Sequence, residues 1–127
     1  MAAACCCSDG VDGYEWDWFE TSVPMSTYLV AVVVADYSYV ESKVESGGVS
    51  FRIWARHSAI NQTNYGLDVG PRILKLYEDY FGIDFPLPKL DMIALPEFGG
   101  AMENWGLVTY GYHCPLHFYQ LMLMSYV

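Results

Sequence analysis

"YGLDVGPRILKLYEDYFG", Tyr65 to Gly82, decides the fold class. Ile73, Tyr77, Tyr80 and Phe81, with Leu74, recur at helical spacing and give one apolar face, and Gly82 supplies the stop. Pro71 lies inside this pattern. Its missing N–H predicts that the regular helix starts at or near it, with Gly66 to Gly70 as an irregular lead-in or a first short turn.

The sequence on either side reads as strand. Upstream, "VSFRIWARH" alternates: Val49, Phe51, Ile53 and Ala55 point one way, and Ser50, Arg52, Trp54 and Arg56 the other, which predicts a half-buried strand. Earlier still, "STYLVAVVVADYSYV", Ser26 to Val40, is β-branched and aromatic with no helical period, as expected of a strand buried on both faces. The polar, glycine-ended "ESKVESGG", Glu41 to Gly48, is the candidate domain boundary. "SAINQTN" reads as a loop, His57 as a structural residue at a strand end. Downstream, Pro86 and Pro88 clear the chain for a strand in "KLDMIALP", Lys89 to Pro96, and Leu107 to Tyr110 forms another. One helix among strands predicts an α+β fold. Met1 to Gly13 is small and polar, a leader with structure expected from about Trp16.

The 127 residues suffice for one small domain or a piece of a larger one. With 54% hydrophobic and 17% charged residues the chain is expected to collapse. Fifteen acids against six bases give a formal charge of -9, and the bases Lys43, Arg52, Arg56, Arg72, Lys75 and Lys89 are scattered, so no nucleic-acid partner is expected. Acidity also suits a site that attracts cationic groups. Cys5, Cys6 and Cys7 are adjacent and, with Cys114, form no ordinary disulfide framework. A cysteine triplet could accept acyl chains. Met1 to Ser8 lacks the basic and apolar regions of a signal peptide, and the longest apolar stretch, Tyr28 to Ala35, is too short to span a membrane. Asn61-Gln62-Thr63 fits the N-glycosylation acceptor pattern.

"EFGGAMENWGLVTY", Glu97 to Tyr110, places an acid beside an amide just past two glycines in otherwise apolar sequence. Gly100-Ala101-Met102-Glu103-Asn104 resembles the exopeptidase motif of the aminopeptidase N family of zinc metallopeptidases, the gluzincins. The resemblance runs from about Trp16, through "FETSVPMSTYLVA" and "NYGLDVGPRILKLYEDYFGIDFPLPKLDMIALP", to Tyr110. It implies a loose leader at 1–15, the C-terminal part of the family's amino-terminal β domain at 16–44, the incomplete start of a thermolysin-like catalytic domain at 45–110, and an unrelated tail at 111–127. It implies, further, that the motif lies on a strand lining a cleft, where Gly99, Gly100, Ala101 and Met102 admit a substrate backbone and Glu103, beside Asn104, binds the free α-amine. Peptide amino termini are then the expected partners, with association with a full-length homologue also open, and a plasma-membrane or extracellular place is expected.

Amide hydrolysis in that family uses a zinc held by the two histidines of H-E-x-x-H and a later glutamate. This sequence has no H-E-x-x-H, and no Asp or Glu follows Glu103. His113-Cys114-Pro115-Leu116-His117 has the histidine spacing, but Cys114 replaces the acid and Pro115 breaks the turn. The family continues after the equivalent of Tyr110 with an Arg-Glu pair, where this chain has Gly111-Tyr112. The expectation is a metalloaminopeptidase fragment that keeps the amine anchor, holds no zinc and does not hydrolyse peptides alone. The alternative is a non-catalytic peptide-binding or interaction module.

Overall fold

The computed structural model describes residues 5–6, 17–44 and 48–112. Its centre is a sheet of five strands, β3 (Ser38–Lys43), β4 (Ser50–Ala55), β5 (Lys89–Leu95), β6 (Ala101–Met102) and β7 (Leu107–Gly111). Their order across the sheet is β3-β4-β5-β7-β6. Strands β4, β5 and β7 run parallel, while β3 and β6 close the two edges antiparallel. A parallel step needs a crossover, and α1 (Asn64–Phe81) supplies it between β4 and β5. The α+β class expected from the sequence is the class observed.

The alternation in "VSFRIWARH" positions the core. Val49, Phe51, Ile53 and Ala55 are all buried, joined by Leu90, Met92 and Val108 from the neighbouring strands and by Ile73 and Leu74 from α1. Gly70 is what lets the helix sit so low on the sheet. A Cβ there would stand 2.2 Å from Cζ of Phe51.

The helix differs from its expected form in two ways. It begins at Asn64 and passes through Pro71 without a break, directly after a 3-10 turn at Ile60–Thr63 where a loop was expected. Pro71 forfeits one backbone bond, but Leu67 and Val69, in the turns before it, pack against the core and hold those turns helical. Its apolar face also ends earlier: Tyr80 is exposed and Phe81 partly so, while the face is continued by buried Glu78, whose carboxylate accepts from Phe85 N–H at 3.0 Å. Gly82 ends the helix as expected, left-handed at φ 66°, its N–H bonded to Glu78 O.

Upstream of the sheet two expectations are corrected. Ser26 to Val40 is no doubly buried strand. It holds a 3-10 turn at Thr27–Leu29 and then irregular chain to Tyr37, with Val30, Val32 and Val34 exposed. β-branched composition measures fit to a sheet, and here no neighbouring strand is present to pair with. Glu41 to Gly48, read as a boundary by its polarity, includes the end of β3 and the connection to β4. These strands are paired from Ser38↔Ala55 to Lys43↔Ser50, and buried Val44 donates its N–H to Val49 O at 3.0 Å. The polar residues belong to a hairpin, so residues 38–43 share one sheet with β4, β5, β6 and β7. Further upstream β1 (Cys5–Cys6) pairs with β2 (Asp17–Trp18), inside the stretch expected to be loose. Cys7 and Cys114, and with them His113 and His117, lie outside the described residues.

Candidate amine-binding edge

The chain from β5 to β7 carries the candidate site. After Leu95 it turns sharply: Glu97 adopts φ 57° and Gly100 φ 122°, the latter a conformation that favours glycine. The turn is fixed to β7. Gly111 donates its N–H to Gly100 O at 2.8 Å, and a Cβ on Gly111 would fall 1.9 Å from Phe98 O. At Gly99 and Gly100 a Cβ would meet nothing within 4 Å, so both glycines border open space.

Ala101 and Met102 come next as β6, the edge of the sheet, paired on one side only with Tyr110 and Thr109. The other side of that strand is free to receive an extended backbone. The expected placement of the motif on a strand therefore applies to Ala101 and Met102, while Glu103 and Asn104 lie just beyond it.

Adjacent in sequence, Glu103 and Asn104 have opposite surroundings. Asn104 is buried. Its Nδ2 donates to Leu29 O at 3.4 Å, its Oδ1 accepts from Thr109 Oγ1 at 3.3 Å, and its carbonyl accepts from Leu107 N–H at 3.0 Å. It ties the turn to β7 and to the 3-10 turn upstream. Glu103 is half-buried, and no hydrogen bond or ion pair reaches its carboxylate among the described residues.

Beneath this turn lies a charged group that sequence reasoning missed. Asp91, buried on β5, receives Arg52 Nε at 2.5 Å and Nη2 at 2.8 Å, and Lys89 Nζ at 2.6 Å. Lys89 also donates to Gly106 O at 2.7 Å, and Asp91 N–H to the same carbonyl at 3.1 Å. Burial pulls the Lys89 ammonium below its ordinary value, and the Asp91 carboxylate opposes that shift. This network holds the start of β7 against β5. Its only trace in the sequence is Arg52 on the outward face of β4 and the Lys-Leu-Asp spacing of residues 89–91.

Other sequence candidates fall elsewhere. Asn61 is exposed on the 3-10 turn before α1, with the Thr63 hydroxyl bonded to Ile60 O at 2.6 Å. His57 lies just past β4 and is exposed, its Nδ1 beside Ser38 Oγ and its Nε2 3.2 Å from Asp36 Oδ1. A cavity of about 350 Å³ opens at the C-terminal ends of β4, β5 and β7, between Met92, Tyr65 and Tyr110. None of the six residues from Gly99 to Asn104 lines it. Among the described residues no three His, Cys, Asp or Glu side chains gather as a metal site, and no helix is long and apolar enough to cross a membrane.

Comparison with known proteins adds to this geometry. Residues 65–122 match the model of the peptidase family M1 domain, a stretch that contains nearly all of α1 and the motif and runs past Tyr110. Aminopeptidase N of Haemonchus contortus is 52% identical over 99 residues, 74% of this chain and 10% of that protein. Endoplasmic reticulum aminopeptidase 2 of Bos taurus is 53% identical over 95 residues, and endoplasmic reticulum aminopeptidase 1 of Homo sapiens 49% identical over 100 residues. These cover 74% and 78% of this chain and 10% of each relative. The chain thus spans about a tenth of the length of the curated relatives it matches. A family-specific helix and the strands on both sides of it, at about half identity to several aminopeptidases, make this chain a partial member of the M1 family of metallopeptidases.

Proposed function

We propose that this chain carries the amine-recognition part of a zinc metalloaminopeptidase, with Glu103 as the anchor for the substrate's α-amine. The observation that carries the reading is the contrast at the end of β6. Asn104 spends its polar groups on the fold, whereas the Glu103 carboxylate, next to an edge strand with a free side, has no internal partner among the described residues. An ammonium brought there would gain a charge-assisted hydrogen bond. A peptide backbone lying along Ala101 and Met102 would bring it, and the open space at Gly99 and Gly100 would let that backbone approach. Anchoring by a free amine limits cleavage to the first residue, the property of an aminopeptidase.

Zinc belongs to the family's chemistry, as Lewis acid and activator of water. The residues of this chain do not fit it: the sequence has no H-E-x-x-H, and among the described residues no three-ligand group exists. We therefore propose that the chain alone binds peptides without hydrolysing them. The same absence favours the second reading, a non-catalytic peptide-binding or interaction module.

Calorimetry with a free-amine peptide and its amino-acetylated twin tests the anchor. The free amine should bind more tightly, and Glu103→Gln should weaken it about 10- to 100-fold, as expected for one hydrogen bond between charged groups. Equal heats for the twin peptides would remove Glu103 from the role. Zinc-dependent, chelator-sensitive release of amino acids from aminoacyl anilides by the purified chain would overturn the claim of inactivity.

A further inference from the structure

The segment between the 3-10 turn and β3 is a strand without a partner. From Tyr28 to Asp36 exposure has the period of two that strands show: residues 28, 30, 32, 34 and 36 are exposed, and 29, 31 and 33 half-buried. Val30, Val32 and Val34 are 49%, 68% and 96% exposed. Among the described residues, no backbone N–H or C=O from Ala31 to Tyr37 is hydrogen-bonded. Unpaired backbone flanked by exposed β-branched side chains is a template for strand addition.

We propose that residues 28–36 are a self-association site at which two copies of this chain pair antiparallel about Val32. Charge placement selects both partner and direction. From Thr21 to Ala35 there is no charged residue, and Asp36 then ends the run. Antiparallel pairing about Val32 sets Val30 against Val34, Ala31 against Val33 and Tyr28 against Asp36 of the other copy. The two Asp36 carboxylates then stand roughly eight strand residues, about 27 Å, apart. Parallel in-register pairing would bring them within about 5 Å of each other, inside the distance over which salt screens. An isologous antiparallel contact also closes on itself as a dimer. The formal charge of -9 on each copy opposes approach, so added salt strengthens the contact.

Sedimentation velocity on the whole chain reads the result. The wild type should show about twice the 14.4 kDa of one chain, with the dimer fraction rising with sodium chloride. Val32→Lys and Val32→Glu should each sediment as single chains with unchanged circular dichroism, because this side chain points mainly into solvent. Mixed in equal amounts they should recover the dimer, since the introduced charges then face each other. Val34→Lys, at the most exposed valine, gives the same reading if either variant fails to fold. A wild type that remains a single chain at all salt concentrations, variants that stay dimeric, or a mixture that stays monomeric would each overturn the proposal.

Discussion

Replacing Gly70 by alanine should destabilise this protein, although the same change in an exposed helix stabilises. In an open helix the exchange gains about 1 kcal/mol, because glycine loses the most backbone entropy on ordering. Here the added Cβ would stand 2.2 Å from Cζ and 2.6 Å from Cε1 of Phe51, where carbon contacts are comfortable only beyond about 3.5 Å. Phe51 is fully buried, so its ring yields only by displacing core. Overpacking costs about 1–3 kcal/mol, and an overlap this deep falls at the upper end, leaving a net loss of roughly 1–2 kcal/mol. With a urea dependence of about 1–3 kcal/mol/M, the unfolding midpoint should fall by roughly 0.5–1 M. Phe51→Leu makes room for the methyl, so Gly70→Ala should cost much less in that background. A midpoint at or above the wild-type value, or an equal cost in both backgrounds, would refute the claim that Gly70 sets the height of α1 over the sheet.

The neighbouring Pro71→Ala should act in the opposite direction, raising the same midpoint by an equivalent of about 1–2 kcal/mol, since it restores a helix-interior N–H. Asp91→Asn should cost about 3–5 kcal/mol in urea unfolding, because it leaves Arg52 and Lys89 half-buried or buried without their carboxylate. Asn104→Ala should cost about 1–3 kcal/mol, whereas Glu103→Ala should stay within about 0.5 kcal/mol; a reversed order would contradict their assigned surroundings. Burial pushes the Tyr110 phenol well above its ordinary 10.0. The unfolded chain releases that proton first, so this contribution is intact below pH 10 and declines above it by about 1.4 kcal/mol per unit. Lys89, depressed by burial, acts with the opposite sign in the alkaline range, so the measurement is the difference between wild type and Tyr110→Phe at about pH 9, 10 and 11. Equal losses in the two proteins would count against it.

What could be read from the sequence was whatever depends on near neighbours. The period of two in residues 49–55 gave the buried face of β4, and Gly82 after a helical period gave the left-handed end of α1. The passage through Pro71 could not be read, because it rests on Leu67 and Val69 meeting strands far along the chain. Ser26 to Val40 misled for the complementary reason: it has a strand's composition, and composition does not say whether a partner strand exists. Arg52 and Asp91 are thirty-nine positions apart, and only the parallel register of β4 with β5 brings them together. At the motif, family resemblance drew attention to Glu103 and Asn104 alike, and only the fold separated the amide that binds structure from the acid left available.

The contact of Gly111 with Phe98 carries a consequence for sequence drift. Residue 111 has no room for even a methyl group while the turn from Glu97 to Gly100 lies where it does. Any larger residue at 111 must lift that turn, and the free margin of β6 moves with it. Position 111 and the turn therefore cannot vary independently: a change in one is tolerated only alongside a change in the other, and graft experiments that exchange either alone will displace the ledge on which Glu103 stands.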